Sequence, residues 1–179
     1  MQIDEAIATI ESYGPCPEAI VWLRTQPDFE TAWANCQRGD WMLWLLGRLC
    51  RTIEDRKILV RTACACARLS LQYVPPDEQR PRIAIETAEA WANRMAGVTI
   101  GDVRNAAHAA HAAYAAYVAY VADAASVAAV YASYASVAAA YAYDAASAAS
   151  YAASQHVLAQ CAEIVRKHYA TPGLKEREA

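Results

Sequence analysis

The stretch AAHAAHAAYAAYVAY, residues 106–120, places a bulky residue after every two alanines. Alanine has the highest helix propensity, so this stretch is expected to be helical whatever surrounds it. A three-residue repeat is not a helix period, however. Each step of three advances about 300°, so the bulky residue retreats by about 60° per step. His108, His111, Tyr114, Tyr117 and Tyr120 therefore wind around the helix instead of lining one face. That pattern suits a helix packed on several sides.

The bias continues to residue 154, with alanine at about half of the positions and Asp123 and Asp144 as the charged side chains. Beyond Ser126 the pattern sorts itself. Val127, Val130, Tyr131, Tyr134, Val137 and Tyr141 fall within an arc of about 120°, with serines on another arc. A membrane span is not expected, because Asp, His, Ser and Tyr would need partners in hydrocarbon. One helix from 102 to 170 would be about 100 Å long, so at least one break is expected, with Asp123 and Asp144 as candidates.

Working outward, the rest of the chain is punctuated for helices. A first helix is expected over 4–12, stopped by Gly14-Pro15. Pro17 opens a second through Trp22, closed by Pro27. Asp28 caps a third, in which Phe29, Ala32, Trp33 and Cys36 share a face. Asp40 is expected to cap WMLWLLGRLC. Further helices are expected over 53–73, ending at Pro75-Pro76, and over 81–95, ending at Gly97, with Thr99 or Gly101 leading into the alanine tract. Sustained period-2 alternation does not occur. The expectation is an all-α, compact multi-helix domain with long Ala/Tyr/Ser-rich C-terminal helices. Its 179 residues suit one domain: short helices with Trp and Cys over 1–97, long alanine-rich helices over 101–170, and a polar tail over 171–179.

A net charge of −3 argues against a general nucleic-acid binder. The acidic opening Met1–Glu5 lacks the profile of a secretory leader, so the six cysteines are expected as reduced, packed thiols in a cytoplasm. Cys64 and Cys66, two apart on a helix, point roughly 160° away from each other and lack the second pair that a zinc site needs. His108 and His111 stand at i, i+3 above Asn105 and Asp102, a row that would need ligands from another segment to hold a metal. No metal and no cofactor is therefore expected. Neither a phosphate-cradling Gly-rich loop nor a Gly-x-Ser-x-Gly elbow occurs. Glu86 and Glu89 read as a solvated helix face. No catalytic residue is assigned, and the chain is expected not to be an enzyme.

The remaining chemistry lies in RGDWMLWLLGRLCRTIEDRK, residues 38–57. Trp41, Trp44, Arg48 and Arg51 follow one another at three-residue spacing. They can be a core helix with solvated arginines or a recognition surface, since Trp and Arg are enriched at binding hot spots and Arg forks match carboxylate or phosphate. These four, with Tyr114 and Tyr117 of the alanine tract, are the candidate binding residues. The Arg-Gly-Asp triplet at 38–40 is discounted, since nothing suggests an extracellular protein.

The order Trp33-Ala34-Asn35-Cys36, then Gly39-Asp40-Trp41-Met42-Leu43-Trp44-Leu45, then a cysteine-bearing helix and an Ala/Tyr/Ser-rich tract resembles the immunity proteins of bacterial polymorphic toxin systems, which have relatives in phage genomes. The resemblance covers residues 17–169. It implies an all-α, non-catalytic protein that neutralises a toxin or defence effector by direct binding, and it carries over no binding residues. A different reading remains open: a phage counter-defence protein that sequesters a small nucleotide signal in an aromatic and Arg-lined pocket, formed within one chain or in a homo-oligomer. Toxin, effector or nucleotide are the partners these readings name.

Overall fold

The computed structural model describes residues 1–74, 76–117 and 151–174, and within them all side chains except those of 73, 110–117 and 151–154. Eight α-helices occur among these residues, and no strand beyond an isolated bridge between Gln2 and Asp28. The fold is all-α, as its punctuation predicts. The expected breaks at Asp123 and Asp144, and the sorted arcs of Val, Tyr and Ser, fall outside the described residues.

Four short helices lead. α1 (Ile3–Glu11) buries Ala6, Ile7 and Ile10. α2 (Pro17–Leu23) starts on its proline, whose fixed φ suits a first turn. α3 (Phe29–Asn35) is capped by Asp28, whose carboxylate accepts from the Thr31 N–H at 2.7 Å. Phe29, Ala32, Trp33 and Cys36 are all buried, so the shared face is the core face. α4 (Gly39–Leu49) begins one residue before its expected cap. Asp40 does not cap it: the carboxylate lies inside the first turn, 1 % exposed, and accepts from Arg38 Nε at 2.9 Å and Nη2 at 2.6 Å. A carboxylate engaged by a guanidinium has no need of the backbone donors at a helix start.

α5 (Ile53–Ser70) follows, entered through a capping box in which Thr52 and Asp55 exchange hydrogen bonds. It ends in a 3₁₀ turn, Leu71–Tyr73. α6 (Arg80–Ala92) stops earlier than Gly97, because Arg94 itself takes a left-handed φ of 60° and sends its guanidinium to Glu54 at 2.5 Å. α7 (Ile100–Tyr117) opens with Thr99 and Asp102 bonded reciprocally, at 2.8 Å from the Thr99 N–H and 3.2 Å from the Asp102 N–H. α8 (Tyr151–His168) buries Val157, Leu158, Cys161, Ala162 and Val165, a helical stripe.

α5 is the central element, packed against α4, α6 and α8, while α6 also carries α7. The two cysteines of α5 show why. Cys64 donates toward the Ile85 carbonyl of α6 at 3.7 Å, and Cys66 toward the Cys161 carbonyl of α8 at 3.8 Å. Pointing in opposite directions, they serve opposite contacts, and both are fully buried. Small residues set these contacts: Ala84, Ala88 and Ala92 of α6 are buried at four-residue spacing. Arg68 closes the α5–α6 seam on Glu89 with bonds of 2.8 and 2.6 Å, so Glu89 is an ion-pair partner rather than a free surface charge. The buried residues form one hydrophobic core that runs from Ala6 to Val165.

No described helix is long and apolar enough to cross a membrane.

Candidate functional site

α1 to α4 leave an open recess between them. Its floor and walls are apolar: Ile10 from α1, Trp22 and Leu23 from α2, Phe29 and Trp33 from α3, and Trp41, Trp44 and Leu45 from α4. Its cavity volume is about 50 Å³, and it opens to solvent. Four of the chain's five tryptophans line it. Trp22 and Trp41 pack at 6.0 Å between ring centroids and 53° between planes, and Phe29 and Trp33 at 6.4 Å and 46°. These are the tilted geometries that ring quadrupoles favour.

Two guanidiniums lie on these rings. Arg38 sits 4.2 Å from the Trp41 centroid, held there by its two bonds to Asp40. Arg48 sits 5.4 Å from the Trp44 centroid and is exposed. Within the Arg-Gly-Asp triplet, then, the arginine and aspartate grip each other and the aspartate is buried. The triplet is a local ion pair that orients Trp41.

The exposed surface of the recess is almost wholly apolar. Trp33 Nε1 and Trp41 Nε1 are both buried and have no acceptor among the described residues. An indole N–H without a partner is costly to bury, and most buried donors are satisfied. Among the described residues, the lining includes no carboxylate, imidazole or hydroxyl side chain. Its one thiol, Cys36, donates toward the Arg38 carbonyl at 3.6 Å, and burial pushes its pKa up to about 11. It therefore stays protonated at neutral pH and is a poor nucleophile. The recess can accept an apolar group.

The structure divides the candidate row. Trp41 is half-buried and Trp44 buried, and both line the recess, with Arg48 laid on Trp44. Arg51 does not continue the row. α4 ends at Leu49, Cys50 turns the chain to an extended ψ of 120°, and Arg51 lies beyond with its N–H on Asp55 at 3.2 Å and its side chain exposed. Three-residue spacing holds a row together only while the helix lasts. Tyr114 and Tyr117 belong to α7, but their side chains fall outside the described residues. Trp22, Trp33 and Arg38 were not among the candidates. The count of five tryptophans hinted at them, but only tertiary packing brings helices separated by turns to one recess.

His108, His156 and His168 are exposed, and Asp102 is engaged by Thr99. Among the described residues, no group of three or more His, Cys, Asp or Glu side chains is arranged to hold a metal ion.

No family model, no curated protein and no solved structure matches this chain.

Proposed function

We propose that this chain is a non-enzymatic, immunity-like inhibitor that neutralises a toxin or defence effector in the cytoplasm by binding it directly, with the tryptophan recess at the centre of the contact. The observation that carries this reading is the recess itself: an open aromatic depression with an exposed arginine on its edge. Protein-binding hot spots have this character, with Trp and Arg around a pocket that an apolar anchor fills. The order of tryptophans and cysteines that resembles the immunity proteins supplies the biological setting. The alternative, sequestration of a small nucleotide, would use the same rings for stacking. Its phosphates would find one uncommitted guanidinium at these rings, Arg48, because Arg38 is taken by Asp40.

Native mass spectrometry of the protein purified gently from cells that carry the toxin or defence system tests the proposal. A stoichiometric protein partner that is lost in an Arg48→Glu, Trp41→Ala variant of unchanged helicity is the expected result. A small retained mass that denaturation releases would replace this reading with the sequestering one, and a bare homo-oligomer would overturn both.

A further inference from the structure

The turn that joins α4 to α5 gathers exposed cations that the fold leaves uncommitted. Arg48 lies in the last turn of α4, Arg51 in the junction, and Arg56 just inside α5, and all three are exposed. None of them enters an ion pair among the described residues, where Arg24, Arg38, Lys57, Arg68, Arg80 and Arg94 each face a carboxylate. The two carboxylates at this corner are already engaged. Asp55 accepts from the Thr52 N–H at 2.9 Å and the Arg51 N–H at 3.2 Å, and Glu54 is held by Arg94 at 2.5 Å and Lys57 at 3.7 Å. Amid the arginines Ile53, the first residue of α5, is 54 % exposed.

Helix electrostatics accounts for one of the three arginines. Arg48 suits the negative C-terminal end of α4, but Arg51 and Arg56 stand at the positive N-terminal end of α5, where a cation is disfavoured. Arg56 lies near enough to the Cys50 thiol to act on it, which keeps it at the turn with the other two. The corner is continuous with the recess, because Arg48 lies on Trp44 of its lining.

We infer that this corner docks an acidic surface of the partner protein, pairing its carboxylates with Arg48, Arg51 and Arg56 around an apolar contact on Ile53. This rests on the inhibitor reading and deepens it by naming the partner's chemistry. A guanidinium fork fits a carboxylate bidentately, and the isoleucine between the forks takes an apolar side chain of the same surface. Nucleic acid fits worse. A polyanion follows an extended basic track, whereas these arginines flank one apolar side chain on a chain of net charge −3. Arg82 beside the exposed Ile83 makes the contrast within this molecule: it has an exposed carboxylate of its own, Glu86, one turn further along α6.

The test uses three probes: a capped pentapeptide with leucine between pairs of glutamates, its lysine counterpart, and a single-stranded thymidine oligonucleotide. Backbone N–H signals of the ¹⁵N-labelled full chain are followed by NMR at rising salt. The acidic peptide is expected to move the signals of Arg51, Ile53 and Arg56, with the lysine peptide at least about tenfold weaker. Arg51→Gln with Arg56→Gln, at unchanged helicity, should weaken the acidic peptide about tenfold and flatten its salt dependence. Ile53→Ser should weaken it about threefold and leave the salt dependence as it was. Arg82→Gln should change neither.

Equal response to the lysine peptide, none to the acidic one, or acidic binding that survives the double arginine variant overturns the inference. Tighter binding of the oligonucleotide at the same signals overturns it in favour of nucleic acid. A protein partner captured by native mass spectrometry that still binds the double arginine variant would overturn it while leaving the inhibitor reading intact.

Discussion

Gly39 lies against Cys161 with no room between them for a side chain. A Cβ on Gly39 would stand 2.7 Å from the Ala162 nitrogen and 2.8 Å from the Cys161 carbonyl carbon, and would also collide with the Cys161 Cβ. The first turn of α4, which carries Arg38, Asp40 and Trp41 to the recess, is thus seated directly on the backbone of α8. Residues far apart in the chain set the position of the site.

Gly39→Ala should therefore destabilise the fold, although alanine is the better helix former by about 1 kcal/mol. The neighbours are backbone atoms that cannot swing aside, so overpacking at about 3 kcal/mol prevails. Urea unfolding is expected to give a net loss of about 2 kcal/mol. An unchanged midpoint would mean that α4 and α8 separate easily.

The Arg38–Asp40 pair is asymmetric, and its variants should be too. Asp40 is 1 % exposed, whereas the Arg38 side chain is 28 % exposed. Arg38→Met strands a buried carboxylate and should cost about 3–4 kcal/mol, while Asp40→Asn leaves a guanidinium that reaches solvent and should cost about 1–2 kcal/mol. Chemical denaturation of both single variants checks the order. Indole fluorescence should shift in both, because Trp41 loses the cation that lies on it in Arg38→Met and the carboxylate that tethers that cation in Asp40→Asn.

Trp44 and Arg48 separate support from surface. Trp44→Ala removes a buried ring and should cost about 3–5 kcal/mol, taking binding with it. Arg48→Glu with Arg51→Glu changes exposed side chains and should move stability by no more than about 0.5–1 kcal/mol. Protection against the toxin or effector should nevertheless be lost. If melting temperature and protection fall together in the arginine variant, those side chains support the fold.

Stability should hold a plateau between pH about 5 and 8.5 and fall on both sides. On the alkaline side, burial pushes the Cys36 and Cys50 thiols up to about 11. A folded pKa above the unfolded value of about 8.5 means that the contribution is complete below that value and lost as pH rises toward 11. On the acid side, backbone N–H bonds from Thr31 and Thr52 hold Asp28 and Asp55 below the usual carboxylate range, and the Thr99 hydroxyl and N–H do the same for Asp102. Their contribution is present above pH about 4 and lost as pH falls through the depressed values. Urea midpoints from pH 3 to 11 test both limbs, and Cys36→Ala should flatten the alkaline one. In the folded chain Cys50, half-exposed, should be the first thiol to react with a disulfide reagent, since the other five are buried.

Local rules were legible in the chain. Asp28 and Thr99 act where their side chains meet backbone groups a few residues away, and Pro17 acts through its own fixed φ, so sequence distance and spatial distance coincide. The exceptions mark where a distant partner outbids the local one. Asp40 is drawn from the cap by Arg38 and burial, and Arg94 ends α6 early while reaching Glu54 on α5. The binding row was half legible: Trp41 and Trp44 share a helix face, but Arg51 lies past its end.

By itself, then, the sequence determined an all-α chain and most of its helix starts. These follow from propensity, capping and periodicity, each acting within a few residues. Only the tertiary structure decided that Trp22, Trp33, Trp41 and Trp44 meet in one recess, that the Trp33 and Trp41 indole N–H groups are buried with no acceptor among the described residues, and that Gly39 seats the site on α8. Such features arise from packing between segments up to more than a hundred residues apart, and side-chain spacing along a helix carries no record of which neighbour will cover it.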